Sequence, residues 1–170
     1  MSEINGSKSL MGNIMNINLI PFLSLPIELQ IETRHWRNSD NVTRFFKIKE
    51  ISYATHLAWL DSLKEVPPKN IAWVISYDSI FIGATYFHSI DYIRKSCDWG
   101  IYIYKDDFQN RGIGKIVLTK SIEQAKNMKF KTIFLDVMDT NIRAITLYKK
   151  FGFFLCSTDN DSFSRYQKNL

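Results

Sequence analysis

The chain reads as a mixed α/β protein on a central, mostly antiparallel sheet with one parallel crossover, and three observations predict this. Strand-like runs follow one another between residues 71 and 104 with short turns between the first two, the pattern of an antiparallel meander. A glycine-containing turn at Gln109–Gly114 then leads through an amphipathic helix into another strand, and a strand–helix–strand crossover requires parallel pairing. Apolar residues make up 45% of the 170 residues and aromatics 14%, enough to fill one core of the size such a chain usually forms.

The elements follow in order. Residues 1–13 are small, polar and unpatterned and read as a loose tail, with Met11 an alternative start; residues 14–170 form one domain. Ile14–Leu23 reads as a first strand, and Pro26 suits a helix start because its missing N–H costs nothing in a first turn. Leu29, Ile31 and Trp36 are the expected inward positions of that helix. Ser52 caps a second helix whose stripe Leu57, Leu60 and Leu63 runs on to a stop at Pro67-Pro68.

Strands are then expected from Ile71 (IAWVISY), Ile80 (IFIGATYFH) and Cys97 (CDWGIYIY), the first two joined by a tight turn at Asp78-Ser79. Ile113, Ile116, Val117, Ile122 and Ala125 give a helical stripe, and KTIFLDVM from Lys131 gives the parallel strand. Asn141–Phe151 reads as a helix ended by Gly152, and 153–156 with 163–167 as short closing strands.

Composition narrows the function. The net charge of +5 comes from 22 basic and 17 acidic residues of mixed order, a bias that suits an anionic small ligand and lacks the basic clusters of a nucleic-acid binder. Cys97 and Cys156 have neither metal-ligand spacing nor a neighbouring His, so no metal is expected. A signal-peptide pattern and an apolar run of roughly 18 residues are both missing, which points to the cytoplasm and away from a membrane.

The turn Gln109-Asn110-Arg111-Gly112-Ile113-Gly114 carries the first chemistry. Between a strand and a helix it aims backbone N–H groups and the helix dipole at one spot, where an anion fits. Gly112 and Gly114 clear the backbone for phosphate oxygens, and Arg111 and Lys115 add charge. Neither the Walker loop nor the dinucleotide fingerprint is present. A second motif, Asn141-x-x-Ala144-x-x-x-Tyr148 with Gly152-Phe153 behind it, places Asn141, Ala144 and Tyr148 on one helix face, the small Ala leaving room for a ligand.

In this order and joined by a helix and a strand, the two motifs resemble the acetyl-CoA-binding half of the GNAT superfamily of N-acetyltransferases, over residues 97–154. The resemblance implies a sheet flanked by about four helices in which two parallel strands, 97–104 and 131–138, splay to admit the pantetheine arm of acetyl-CoA. It implies that Ile103 and Tyr104 bind that arm through their backbones, that Gln109, Asn110, Arg111, Gly112, Ile113, Gly114 and Lys115 hold the pyrophosphate, and that Asn141 lines the arm. Lys105-Asp106-Asp107 departs from a proline common in relatives at that point, which leaves the loop's shape open.

Amide formation from a thioester needs a base for the amine and an acid for the departing thiolate. Tyr148 holds the family's general-acid position, where a phenol of reference pKa about 10 stays protonated. Asp98 and Asp136, on the two splayed strands, are candidate bases acting directly or through water, with His88 a third.

For the acceptor, His35-Trp36-Arg37-Asn38 and the helix with His56-Leu57-x-Trp59 are similar to acetyltransferases acting on the 4-amino group of a UDP-linked dideoxy sugar on the route to pseudaminic acid. Arg37 offers a fork for a diphosphate or an ion pair for Asp40, His56 a hydrogen bond, Trp36 or Trp59 a flat face, and His88 a further contact. Expected partners are therefore acetyl-CoA and a small amine, with a homodimer compatible. An acetyltransferase of protein N-termini and an inactive CoA-binding module are the alternatives.

Overall fold

The computed structural model describes residues 16–170; the expected tail, the alternative start at Met11 and the first residues of the expected opening strand lie outside the described residues. Among the described residues seven strands form one sheet in the order β1-β2-β3-β4-β5-β7-β6. The first four are β1 (Ile17–Pro21), β2 (Ile71–Tyr77), β3 (Ile80–Asp91) and β4 (Ser96–Ile103), and β5 (Thr132–Met138), β6 (Phe154–Thr158) and β7 (Phe163–Asn169) complete it. Only β4 and β5 pair in parallel, as the crossover through the glycine turn requires.

The alternation of β2 puts Trp73 and Ile75 on one face and Ala72 and Val74 on the other, so both faces must be covered. The first face carries α4 (Ile113–Asn127) and α5 (Ile142–Lys150), whose Val117, Leu118, Ile122 and Tyr148 join the larger core. The second carries α1 (Ile27–Arg37) and α3 (Tyr53–Ser62), which bury Trp36 and Leu60, with α2 (Asp40–Thr43) between them. A register shift between Ile75 and Ser76 leaves Ile82 as an extra residue of β3, and Ile82 and Phe87 consequently face one core despite their odd spacing.

Two sequence expectations shift. The fully buried face of α1 is Gln30, Thr33 and Trp36, while Leu29 and Ile31 are only half-buried. Polar residues can sit there because Gln30 Nε2 donates to Leu25 O at 2.8 Å and Thr33 Oγ1 to Gln30 O at 2.7 Å. Ser52 caps α3 as expected, accepting from Thr55 N at 3.1 Å, but the helix ends at Ser62 rather than at the prolines. Ser62 Oγ donates back to Trp59 O at 2.6 Å and accepts from Asn70 Nδ2 at 2.6 Å, which draws the chain off the helix axis.

Candidate active site

The site begins where two strands part. Ladder pairs between β4 and β5 are Ser96 with Thr132, Cys97 with Ile133 and Asp98 with Phe134, after which β4 runs on to Ile103 and β5 to Met138 without further pairing to one another. Each keeps its outer partner, β3 or β7, so the inner edges face one another across a wedge. Such an edge presents N–H and C=O groups to whatever extended ligand enters.

Two cavities meet at this wedge. One, of about 430 Å³, is lined by Gln109, Asn110, Gly112, Ile113, Gly114 and Lys115 at the start of α4 and by Asn141, Arg143, Ala144 and Tyr148 on α5. Gly112 stands at φ +79°, and a Cβ there would meet no atom within 4 Å; at Gly114 it would meet only Leu147 Cδ2 at 3.9 Å. Side chains at either position would fill open cleft. The first N–H groups of α4 have no partner within the helix, a geometry able to receive an anion.

The other residues of the turn divide. Gln109 Nε2 donates to Ile103 O at 2.9 Å and so fastens the turn to β4, and Asn110 O accepts from Arg143 Nη2 at 3.1 Å. Arg111 lies over the Phe108 ring at 5.6 Å and is not part of the cavity wall. Tyr104 N donates to Ile82 O at 3.0 Å and Tyr104 O accepts from Asn41 Nδ2 at 2.6 Å, so its backbone is engaged within the protein. Ile103 lines the cavity. Asn141 caps α5, its Oδ1 accepting from Ala144 N at 3.2 Å, and lines both cavities.

Tyr148 also lines both, beside Trp99, whose ring meets it edge-on at 5.9 Å. Among the described residues no group hydrogen-bonds the Tyr148 hydroxyl, and burial, with Tyr86 adding, raises its pKa above the usual phenol value. It therefore stays protonated across the whole neutral range. Trp99 Nε1 is buried without a hydrogen-bond partner among the described residues.

The second cavity, of about 590 Å³, lies on the α1 and α3 face. His56 and Trp59 line it, stacked at 5.7 Å; His56 Nε2 pairs with Gln30 O at 2.8 Å and burial lowers its pKa, which keeps it neutral. Arg37 lines it too, with Nη2 donating to Ile48 O at 2.9 Å, its guanidinium 3.8 Å from the Phe46 ring, and Nη1 buried without a partner. It forms no ion pair with Asp40. Trp36 stacks on Tyr104 at 4.7 Å inside the core, so Trp59 alone of the two offers a face to the cavity.

Asp98 and Asp136 are drawn into one cluster. Arg165 on β7 reaches across β5, 4.7 Å above the Phe134 ring, and donates Nη1 and Nη2 to the two Asp98 oxygens, both at 2.8 Å. The same Nη1 lies 3.1 Å from both oxygens of Asp136. Asp136 and His88 line the cavity wall; Asp98, opposite His88 in the ladder, is buried behind it. Sequence reasoning missed Arg165, Arg143 and the aromatic pair Phe45 and Phe46, which lines both cavities. A single cation inside the strand run 163–167 was the available signal for Arg165.

Among the described residues no group of three or more His, Cys, Asp or Glu stands close enough to hold a metal ion, and no helix is long and apolar enough to cross a membrane. The sequence model of the Acetyltransferase (GNAT) family matches residues 31–153. Acetyltransferase PseH of Campylobacter jejuni (strain 81-176) is 30% identical over 127 residues, 74% of this chain and 77% of that protein. The crystal structure of Campylobacter jejuni PseH with acetyl coenzyme A superposes with a TM-score of 0.67 at 23% identity, covering 90% of this chain and 98% of that one. A spermidine N-acetyltransferase of Vibrio cholerae with CoA and spermine gives 0.76 at 17% identity, covering 90% and 95%.

Proposed function

Because the chain belongs to the acetyltransferase (GNAT) family, we propose that it moves an acetyl group from acetyl-CoA to the 4-amino group of a UDP-linked 4-amino-4,6-dideoxy sugar, in the cytoplasm, by direct attack in a ternary complex. The observation that carries this reading is the meeting of two cavities at Tyr148, one built for an anionic arm and one for a second substrate. The similarity to PseH of Campylobacter jejuni supports the choice of a pseudaminic acid precursor as acceptor.

Acetyl-CoA fits the residues present. Gly112, Gly114 and Lys115 would hold its pyrophosphate against the N-terminus of α4, and the facing edges of β4 and β5 would take the two amides of its pantetheine. Bound there, it would supply an activated thioester. Tyr148, protonated and free of internal partners, donates a proton to the departing sulfur. Asn141 and Ala144 keep the helix face beside it low enough for the arm to pass.

The acceptor cavity is basic and aromatic. Arg37 lines it without an acid partner among the described residues, Lys47 is paired with Asp159 and the single acid, Asp136, with Arg165, while burial keeps His56 and His88 neutral. A diphosphate is welcome in such a site and a polyamine is not. Arg37 Nη1 would pair with a phosphate oxygen, and Trp59 gives a flat face for a base or sugar.

The test follows thiol release from acetyl-CoA with the purified protein, offering a UDP-4-amino-4,6-dideoxy sugar in one series and short peptides in another. Turnover with the nucleotide sugar is expected. Turnover with peptides alone would overturn the acceptor and leave acetyl transfer standing.

A further inference from the structure

The two carboxylates nearest the point where the strands part are both engaged by one guanidinium. Both oxygens of Asp98 receive hydrogen bonds from Arg165 at 2.8 Å, and Asp98 lies behind the cavity wall. Asp136 shares the same guanidinium at 3.1 Å. His88, on β3 opposite Asp98, faces the acceptor cavity beside Asp136 and, among the described residues, has no carboxylate or guanidinium bonded to it.

The chain is shaped around that imidazole. A register shift interrupts the β3–β4 ladder directly after His88, and the next residue, Ser89, takes the left-handed conformation at φ +49°. Bulges of this kind re-aim a side chain at the cost of local strain. Ser89 Oγ lies 3.1 Å from His88 Nδ1, so with Nδ1–H donating to that hydroxyl the other ring nitrogen, Nε2, presents its lone pair. Among the described residues Nε2 has no hydrogen-bond partner.

We propose that His88 is the general base of the reaction, and that the Asp98–Arg165–Asp136 cluster is the charge that holds and stabilises it once protonated. This rests on the acetyl-transfer reading and extends it. The amine nitrogen bonds to the acetyl carbon and gives its proton to His88 Nε2. The carbon–sulfur bond breaks, the electron pair stays on sulfur, and Tyr148 supplies the proton that makes the thiol; solvent then carries a proton from His88 back to Tyr148.

Charge sets the direction of each effect. Two carboxylates and one guanidinium leave the cluster with one net negative charge facing the ring from β4, β5 and β7, while Arg37 and His56 look on from the helical side of the cavity. Burial pulls the His88 pKa below the ordinary imidazole value, Asp98 and Asp136 push it up and Arg165 pulls it down, the net being a lowering. The ring is thus neutral and ready at pH 7, and the net negative charge offsets part of what burial costs the imidazolium.

The experiment records kcat against pH for wild type, H88N, D136N and the double variant, with acetyl-CoA and the UDP-4-amino-4,6-dideoxy sugar, alongside acetyl-CoA affinity by calorimetry. H88N is expected to lose about 100-fold in kcat with acetyl-CoA affinity within twofold, and to recover part of the loss at high pH. D136N removes one negative charge, so it should move the acid limb to lower pH by about half a unit in wild type and by nothing in H88N. Unchanged kcat and profile in H88N, or a limb that stays put in D136N, overturns the proposal. Should H88N fail to fold, D136N alone decides, since its side chain is 49% exposed and the amide is isosteric. A wild type that neither binds acetyl-CoA nor acetylates any amine offered refutes the acetyl-transfer reading instead.

Discussion

Replacing Tyr148 by Phe removes one oxygen and little else. The ring still meets Trp99 edge-on at 5.9 Å and Phe153 at 6.0 Å, and the lost hydroxyl has no internal hydrogen bond to forfeit. Stability should therefore change by less than about 1 kcal/mol. On the proposed mechanism the reaction loses its proton donor, and positioned acids contribute roughly 10²–10⁴ in rate, or about 3–5 kcal/mol of barrier. Because burial raises the wild-type phenol above its usual pKa, deprotonation of Tyr148 should leave no basic limb in the kcat profile below about pH 10. The assay is thiol release at saturating acetyl-CoA, with calorimetry for affinity and a thermal melt for the fold. Expected are a kcat at least about 100-fold lower, an affinity within twofold and an unmoved melt. A Phe variant within twofold of wild-type kcat would refute the acid role.

Other substitutions separate fold from site. Gly114→Ala lies inside a helix with its Cβ 3.9 Å from the nearest atom, so stability should rise by up to about 1 kcal/mol while acetyl-CoA affinity falls roughly tenfold, read by melt and calorimetry together. Gly83→Ala would drive a Cβ into the Tyr102 backbone carbonyl, which cannot move aside, and should cost about 3 kcal/mol or more in a denaturant titration, the upper range for overpacking. Arg37→Met keeps an apolar stem beside Phe46 and removes the unpaired Nη1, so acceptor KM should rise about tenfold with kcat nearly kept, as for lost uniform binding.

Much of this was legible in the chain because its signals are local. Ser52 caps α3, Asp78-Ser79 turns the β2–β3 hairpin with both residues at positive φ, and the stripe of α4 buries Ile113, Val117, Ile122 and Ala125 as periodicity demands. Gly112 and Gly114 likewise mark an open turn at the start of α4 through backbone chemistry alone. What escaped depends on neighbours distant in sequence. Arg165 and Asp98 are 67 residues apart, and nothing near either shows that a side chain on β7 will cross β5 to reach β4. Leu29, Ile31 and Trp36 do pack on the core as their spacing suggested, but the buried Gln30 and Thr33 escaped because they are polar by type and are buried only once their hydrogen bonds to Leu25 and Gln30 are made. Trp36 could equally have faced a ligand; only Tyr104 packed against it decides.

One contact across the acceptor cavity ties function to the solution around the protein. Lys47, from the segment between α2 and α3, pairs with Asp159 at the β6–β7 turn, lies 3.7 Å from Asp161 and sits over the Phe163 ring, so two walls of the cavity meet through it. Its charges are exposed, at 44% for Lys47 and 39% for Asp159, whereas the Asp98 carboxylate held by Arg165 is only 11% exposed. Salt shortens the Debye length from about 10 Å at 0.1 M to about 3 Å at 1 M, which weakens the first junction and spares the second. Rising ionic strength should then loosen the grip on the acceptor well before it disturbs the chemistry, so KM for the amine carries the salt dependence and kcat stays level.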